Sequence, residues 1–292
     1  MVTLLNANAA RPHYVGADVG GTKVRTLVTD DSGEVVWSST EPTEHDVAGQ
    51  IARQVRALGP GRVRALGVGV PGVVAPDTGV VSRAPNVPGL DGLPLAERLA
   101  AVLGVPVAVE NDIAAAALAE QRLRGSAGST LAVVAAGTGI GLGVVHDGRP
   151  IRGETGAAGE IADLPIGSGR LLEDAVSVAG LLRSYRFLGG DEGRSVRDLL
   201  AAADEGEPLA ALALTEYTAD LAQGVAMVAA VLDPAWFVLT GGIGAHPRVL
   251  AEVREHLGPP LSARVIPSAL GPDSPAHGAV LLAFRAAGVP LP

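Results

Sequence analysis

The stretch VGADVGGTKVR, residues 15–25, predicts the local fold and a first candidate site. Apolar residues precede and follow the glycine pair at 20–21, so two strands joined by a tight turn are expected. Without side chains on the glycines, the backbone N–H groups of such a turn stay open to an anion. Thr22 adds a hydroxyl group and Lys23 a positive charge. Asp18 faces the turn, and an acid beside an anion site suits Mg²⁺ between them; an ordinary hairpin with a surface aspartate is the alternative.

A strand followed by glycines occurs twice more in the chain. The apolar stretch 130–135 leads into Gly137-Thr138-Gly139, after which a strand is expected at 144–146. The stretch 236–239 leads into a third glycine turn at 240–244, which a helix follows. Three such turns suit two α/β lobes that clamp a nucleotide, with two turns on its phosphates and the third against its adenosine.

A further group of polar residues lies where a buried strand meets a helix. The strand predicted at 105–109 ends in Glu110-Asn111-Asp112, and an alanine-rich helix follows over 113–124. Polar residues at the carboxyl end of a buried strand are where α/β proteins usually bind ligands. Taken alone, Asp112 is better explained as the N-cap of that helix.

Composition narrows the class of protein. The chain has 292 residues, 48% hydrophobic and 18% charged, which predicts a folded, globular protein. Its length favours two domains, with one large domain as the alternative. A net charge of −9 disfavours nucleic-acid binding. The longest apolar run, 131–145, is broken by glycines, which argues against a membrane partner. Residues 1–12 lack the features of a signal peptide, so a loose tail and a cytoplasmic location are expected.

Three residue counts bear on the candidate sites. Cysteine is absent, which excludes disulfides, a thiolate nucleophile and cysteine-bound zinc. The six histidines are far apart and show no metal-ligand spacing. Lys23 is the single lysine of the chain, and it lies in the first glycine turn.

The coarse pattern of elements divides the chain into two α/β lobes. The N-terminal lobe is expected over 13–115 and is completed by a C-terminal helix at 274–289, and the second lobe is expected over 116–273. From residue 173 onward the pattern is mostly helical, with a single helix predicted over 173–188.

These motifs together resemble the ROK family, a branch of the actin/Hsp70/sugar-kinase ATPase superfamily. DVGGTK at 18–23 is similar to the family's first phosphate loop, and ENDIAAAALAE at 110–120 to its catalytic segment. The segment 137–161 is similar to the second phosphate loop with the sugar-binding strand, and LTGGI at 239–243 to the adenosine motif. The resemblance extends over 14–288 and implies a two-lobed, actin-like (ribonuclease H-like) α/β fold with a central nucleotide and sugar cleft.

The resemblance also implies a role for each matching residue, in an enzyme that phosphorylates a sugar with ATP and Mg²⁺. Asp112 is implied as the general base, and Asp18 as a Mg²⁺ ligand, directly or through water. The implied sugar-binding residues are Asn86, Asn111, Asp112, Glu160, Asp163 and Glu173. The implied nucleotide-binding residues are Asp18, Gly20, Gly21, Thr22, Lys23, Gly137, Thr138, Gly139, Gly241 and Gly242. Phosphoryl transfer needs mainly positioning, charge neutralisation and a carboxylate near the nucleophile, which agrees with these residue types.

The chain departs from the family pattern on the sugar side. The family's histidine after the glutamate matched by Glu160 is replaced by Asp163, and the asparagine two residues after the base is Ala114. The three cysteines that bind a structural zinc in the family are absent, and the loop at 165–170 is short, so no zinc is expected. These departures favour a substrate other than glucose, such as an amino sugar or a cyclitol.

Two other functions share this sequence pattern. ROK-type transcriptional regulators carry an N-terminal helix-turn-helix domain, and only about a dozen residues precede the first strand here, so that function is disfavoured. A non-catalytic sugar sensor is favoured by the missing zinc motif and opposed by the retained Asp112. A homodimer is expected, as is usual for relatives.

Overall fold

The computed structural model describes residues 12–59, 61–125, 128–167 and 169–292. The expected N-terminal tail, apart from Pro12, and Ser168 of the short loop lie outside the described residues. The chain divides into two compact units: residues 12–125, 149–158 and 273–292 form the first, and 128–148 with 159–272 form the second. The prediction of a two-lobed α/β protein is confirmed, whereas the lobe boundaries expected from the sequence stay a prediction.

The strands alternate with helices along most of the chain. In chain order they are β1 (His13–Val19), β2 (Lys23–Thr29), β3 (Val35–Pro42), β4 (Val63–Val70), β5 (Val73–Val74), β6 (Val81–Ser82), β7 (Val107–Asn111), β8 (Thr130–Ala136), β9 (Ile140–His146), β10 (Arg149–Pro150), β11 (Trp236–Thr240) and β12 (Val265–Pro267). The α-helices are α1 (Val47–Ala57), α2 (Leu95–Leu103), α3 (Asp112–Arg124), α4 (Leu172–Val176), α5 (Val178–Phe187), α6 (Val196–Asp204), α7 (Pro208–Leu232), α8 (Pro247–Leu257) and α9 (Ser274–Ala286). None of the described helices is long and apolar enough to cross a membrane.

The first unit contains a five-stranded sheet in the order β3-β2-β1-β4-β7. The β1–β2 and β2–β3 pairs are antiparallel hairpins, while β1, β4 and β7 run parallel. Because parallel strands end at the same edge of a sheet, the residues that follow β1, β4 and β7 meet there. That edge carries the first glycine turn and Asp112.

Helices cover both faces of this sheet. α1 and α2 pack their apolar sides against one face, and α9 packs against the other with α3 beside it. A Cβ atom on Gly67 would lie 1.9 Å from the carbonyl oxygen of Ala279, and one on Gly16 would lie 2.5 Å from the N atom of Val280. The strands therefore need glycine at these two positions, since the α9 backbone lies directly on the sheet.

The other five-stranded sheet has the order β10-β9-β8-β11-β12, and all of its strands except β10 belong to the second unit. β8 and β9 form a hairpin, while β8, β11 and β12 run parallel. A large apolar core joins this sheet to helices α4 to α8, with Phe237 of β11 and Leu172 and Leu181 fully buried in it. The second and third glycine turns follow β8 and β11, so they too lie at one edge of one sheet.

Three boundaries differ from the sequence-based expectations. The single helix expected over 173–188 is interrupted at Ser177, which has an extended backbone and accepts a hydrogen bond from the N–H of Gly180. Serine favours such a cap over a place inside a helix. β9 begins at Ile140 rather than at 144, because Gly141 and Gly143 pair within the ladder. β7 reaches Asn111, two residues beyond the expected end of that strand.

Candidate active site

The first glycine turn joins β1 to β2 and is exposed to solvent. The N–H of Gly20 donates to the carbonyl oxygen of Lys23 at 2.8 Å, which closes the turn. Gly21 and Thr22, between them, are exposed. Their N–H groups have no hydrogen-bond partner within the part of the chain that the structure describes. The turn therefore offers two open backbone donors, while the N–H of Gly20 is already used.

Asp18 is the last residue but one of β1, the strand that leads into this turn. Burial raises the pKa of the Asp18 carboxyl group to about 7, the nearby Lys23 opposes that rise, and the negative charge of Asp273 adds to it. Asp273 is held by Arg25 through two hydrogen bonds of 3.2 Å. Burial therefore disfavours the ionised form of Asp18, and a bound cation would favour it. The donor type therefore fits Mg²⁺.

We expect Asp18→Asn to stabilise the ligand-free protein above pH 7. The folded-state pKa of Asp18 is above the unfolded value, so the ionised carboxylate weakens folding increasingly as pH rises from about 4 to about 7, and fully above that. Melting curves in EDTA should give a higher Tm for the variant at pH 8, by a few degrees, since about 1 kcal/mol moves Tm by roughly 2–4 °C at this chain length. The difference should shrink toward pH 5; a lower Tm for the variant at pH 8 would contradict this account.

The loop that carries Asn86 packs against the first glycine turn. A Cβ atom on Gly21 would lie 2.9 Å from the backbone oxygen of Asn86 and 3.2 Å from its Cβ atom. The loop is itself held by Asp91, whose Oδ1 accepts from the N–H of Ala84 at 2.9 Å. Asn86, expected on the sugar side, and Gly21, expected on the phosphate side, are therefore in direct contact.

The junction of β7 and α3 brings Asn111 and Asp112 to the same sheet edge. The N-cap of α3 is Asn111 and not Asp112: the Oδ1 atom of Asn111 accepts from the N–H groups of Ile113 at 2.9 Å and Ala114 at 3.0 Å. Its Nδ2 atom donates to the carbonyl oxygen of Gly72 at 2.9 Å. Asp112 is the first residue of the helix, and its Oδ1 atom lies 2.9 Å from the N–H of Ile113. Asp112 is thus not the residue that caps α3.

Glu110, to which the sequence analysis gave no role, is the buried acid beside this junction. It is 2% exposed. Its Oε2 atom lies 2.6 Å from both Nε and an Nη of Arg152, and its Oε1 accepts from the N–H of Asn111 at 3.1 Å. Arg152 belongs to the segment 149–158, so this ion pair fixes that segment to β7. An acid two residues before the candidate base, at the end of a predicted buried strand, was the available signal. The sequence alone does not reveal the distant arginine.

The second and third glycine turns pack against each other in the second unit. The carbonyl oxygen of Ala136, at the end of β8, accepts from the N–H groups of Ile243 and Gly244, each at 3.0 Å. The second turn is closed by a hydrogen bond of 2.9 Å from the N–H of Gly137 to the carbonyl oxygen of Gly139. The two turns thus form one continuous backbone surface, as a phosphate site beside an adenosine site requires.

A shallow pocket of about 550 Å³ lies beside the second turn. Exposed Thr138 forms one side of it, and the first residues of α5, including Val178 and Leu182, form the other. The N–H of Val178 donates to the carbonyl oxygen of Gly137 at 2.8 Å, so α5 begins directly at the turn. A helix N-terminus carries partial positive charge, which favours an anion at Thr138.

Gly241→Ala is expected to disrupt this surface. Gly241 has a φ of +90°, and a Cβ atom there would lie 2.4 Å from the carbonyl oxygen of Ala136. The substitution strains the backbone and pushes the third turn off the second, so nucleotide affinity should fall at least tenfold and Tm should fall by several degrees. Nucleotide titration and melting curves check this. Gly258→Ala, also at positive φ but with open space around it, is the matched control and should keep wild-type nucleotide affinity.

The remaining sugar-side residues lie in the second unit. Glu160 precedes a short 3-10 helix, Ile161–Asp163, so that Asp163 ends that helix and is exposed. Glu173, in α4, has its Oε2 atom 3.3 Å from the N–H of Ile140, and this carboxyl group lies over Gly139. Glu173 is thus found against the second glycine turn.

The predicted site residues divide between the two units. The first unit contains Asp18, Gly20, Gly21, Thr22, Lys23, Asn86, Asn111 and Asp112; the second contains Gly137, Thr138, Gly139, Glu160, Asp163, Glu173, Gly241 and Gly242. Within each unit the residues expected to bind nucleotide lie at the edge of the sheet where parallel strands end. Among the described residues no group of three or more histidine, aspartate or glutamate side chains is placed to hold a metal ion.

Comparison with known proteins places this arrangement in a family. Residues 14–286 match the ROK family. A glucokinase of Halalkalibacterium halodurans is 28% identical over 279 residues, covering 83% of this chain and 84% of the relative. A beta-glucoside kinase of Listeria monocytogenes is 28% identical over 253 residues, covering 82% of this chain and 86% of the relative.

The fold matches solved structures over almost its whole length. A ROK family glucokinase from Streptomyces griseus, in complex with glucose and AMPPNP, aligns with a TM-score of 0.77 at 26% identity, over 94% of this chain and 99% of that one. The two five-stranded mixed sheets are therefore those of the two-lobed, actin-like fold expected from the sequence. With a family match that spans nearly all of it, the chain belongs to the ROK family.

Proposed function

We propose that this ROK family sugar kinase transfers the γ-phosphoryl group of ATP to a hydroxyl group of a hexose or hexose-like polyol, with Asp112 as the general base. An amino sugar and a cyclitol are included among the candidate substrates. The proposal extends the family assignment by naming the residue that takes the proton and the class of acceptor.

One observation carries the proposal: the first glycine turn and Asp112 lie at the same edge of one sheet. β1 leads into the turn and β7 leads into Asp112, and both strands run parallel to β4 between them. Two strand spacings separate them, roughly 10 Å. That distance leaves room for a phosphate group on the turn and a sugar hydroxyl beside the carboxylate, so that Asp112 accepts the proton as the oxygen attacks.

The nucleotide side of the proposal rests on the three glycine turns. The open N–H groups of Gly21 and Thr22, with the charge of Lys23, favour phosphate oxygens, and the second turn adds the hydroxyl of Thr138. Asp18 would hold Mg²⁺, directly or through water. The bound ion supplies neutralisation of charge on the phosphate oxygens. AMPPNP is an ATP analogue, and its presence in the Streptomyces griseus relative supports ATP as the donor.

The sugar side of the proposal rests on the residues that the family resemblance implies. Asn86 and Asn111 would donate to sugar hydroxyl groups; the amide of Asn111 uses one of its two N–H groups on Gly72 and keeps the other for a ligand. Glu160 and Asp163 would accept from hydroxyl groups. Glu173 is a weaker candidate for sugar contact, since its carboxyl group lies against the second glycine turn.

The relatives do not select one sugar. Those named glucokinase and beta-glucoside kinase are equally similar to this chain, at 28% identity. Asp163 in place of the family's histidine changes a neutral or cationic ring to an anionic group. We therefore expect a preference for a substrate other than glucose.

An ADP-release assay tests the proposal directly. Wild type and Asp112→Asn are assayed with Mg-ATP against hexoses, amino sugars and cyclitols, without added zinc. Release of ADP that depends on one of these compounds and is lost in Asp112→Asn supports the proposal. A compound that raises the Tm of the wild type, yet gives no ADP release in the presence of ATP, would contradict it in favour of a sugar sensor.

A further inference from the structure

Thr43, which follows β3, contacts the first glycine turn from behind. Its Oγ1 donates to the carbonyl oxygen of Gly20 at 2.6 Å. Its backbone N–H donates to the carbonyl oxygen of Thr22 at 3.1 Å. One residue thus binds two carbonyl groups of a turn that is only four residues long, and the hydroxyl bond is short and partly buried.

These two bonds determine which side of the turn faces outward. The carbonyl groups of Gly20 and Thr22 point to Thr43, and that of Lys23 accepts from the N–H of Gly20. A carbonyl oxygen repels a phosphate oxygen, whereas an N–H group attracts it. The carbonyl group of Gly20 belongs to the same peptide unit as the N–H of Gly21, and the two point in opposite directions. Holding this carbonyl back therefore turns the N–H of Gly21 outward, while the bond to Thr22 fixes the far end of the turn.

Glycine gives the turn a freedom that makes such a brace necessary. Peptide units beside glycine rotate at low energetic cost, so an unrestrained glycine pair also samples conformations with a carbonyl group facing outward. The neighbouring loop restrains only the other side, where the backbone of Asn86 lies against Gly21. The Thr43 side chain restrains the peptide unit between Gly20 and Gly21, because its hydroxyl group donates to the carbonyl oxygen of that unit.

We propose that Thr43 is a positioning residue that holds the first glycine turn in its phosphate-binding conformation. It acts through the turn and does not itself contact the ligand. The inference rests on the proposed function, because it assumes that the phosphates of ATP bind at this turn. Neither the spacing of glycines nor the motif in 18–23 points to Thr43. Thr43 lies beside the first glycine turn because the preceding residue, Pro42, pairs with Lys23 in the β2–β3 ladder.

The test compares binding of a ligand with phosphates and one without them. MgATP and adenosine are titrated into the full chain by calorimetry or by displacement of a fluorescent nucleotide. Thr43→Val, which keeps the shape but removes the hydroxyl donor, should bind MgATP about fivefold to tenfold more weakly and bind adenosine as the wild type does. Thr43→Ser keeps the hydroxyl donor, so its MgATP affinity should be within about twofold of the wild-type value.

Thr78→Val is the matched control. The hydroxyl of Thr78 also bonds to the backbone, accepting from the N–H of Val80 at 3.3 Å in an exposed turn, so this variant should bind both ligands as the wild type does. Equal MgATP affinity in wild type and folded Thr43→Val would overturn the inference, as would an equal loss for adenosine. If Thr43→Val does not fold, Thr43→Ser and Thr43→Ala provide the same comparison of donor present and donor absent.

MgATP binding by the wild-type protein tests the proposed function separately from the role of Thr43. A wild type that binds no MgATP overturns both the proposed function and this inference. A wild type that binds MgATP, together with a folded Thr43→Val of unchanged affinity, overturns the inference alone.

Discussion

Asp112→Asn is expected to lower kcat by about 10²–10⁴-fold, the contribution typical of a general base. The amide keeps the size of the carboxyl group and its oxygen can still lie near the N–H of Ile113, as the Oδ1 atom of Asp112 does at 2.9 Å. It cannot accept the proton of an attacking hydroxyl group. KM for ATP should change little, because the nucleotide-binding turns are made by other residues. Initial rates of ADP release at saturating sugar and ATP measure the effect.

Folding and charge controls accompany this prediction. The N-cap of α3 is Asn111, so Asp112→Asn leaves the cap in place and its Tm should stay within a few degrees of the wild-type value. Asp77→Asn, in an exposed loop, removes the same charge elsewhere and should keep wild-type kcat. A kcat for Asp112→Asn within a few-fold of wild type, for a substrate that the wild type turns over, would exclude Asp112 as the base.

The sequence predicts most of the fold because the signals are local. Apolar stretches that end in glycine-rich turns identify β1, β8 and β11, and the polar end of β7 identifies the junction at Asn111 and Asp112. Each of these depends on a few neighbouring residues. The family resemblance added the two-lobed architecture, which the comparisons confirm.

The parts that the sequence did not predict depend on contacts between distant residues or on competition between similar side chains. Asn111 and Asp112 are both good N-caps, and only the structure shows that Asn111 takes that place. The apolar pattern predicts one continuous helix across Ser177. The helix is interrupted there because Ser177 caps α5 through its side chain, and this bond is more favourable than a place inside a helix. Thr43 reaches Gly20 across 23 positions of sequence.

The short loop at 165–171 illustrates a different limit. Its backbone closes on itself: the N–H of Ile166 donates to the carbonyl oxygen of Arg170, and the N–H of Arg170 to that of Gly167, each at 3.0 Å. Arg170 also pairs with Asp220 of α7 at 3.2 Å. Local hydrogen bonds therefore order the described part of this loop, while the expectation that the protein needs no zinc stays a prediction for metal analysis of the purified protein.

Arg152→Met is expected to destabilise the protein by about 2–4 kcal/mol, more than Glu110→Gln. Glu110 is 2% exposed, whereas the Arg152 side chain is 44% exposed. Removing Arg152 therefore leaves a buried partner, and removing Glu110 leaves a partner that water can reach. Without Arg152 the buried carboxyl group of Glu110 loses its ion-pair partner, and breaking a wholly buried pair in this way costs roughly 3–5 kcal/mol. Burial lowers the pKa of Arg285, the charges of Arg152 and Arg149 lower it further, and the charge of Glu110 opposes them. Because Arg285 interacts with Glu110, its charge should reduce the cost of losing Arg152.

The double variant Glu110→Gln/Arg152→Met separates charge from packing. In Glu110→Gln the Arg152 side chain stays partly exposed, and water solvates its guanidinium group. We therefore expect the free energy of unfolding to fall by about 1 kcal/mol or less. In the double variant no buried charge remains, so it should be more stable than Arg152→Met by about 1–2 kcal/mol. Urea unfolding of the four proteins at pH 7.5 gives the cycle. A double variant less stable than Arg152→Met would mean that the pair acts through packing of the segment 149–158, and not through the charge of Glu110.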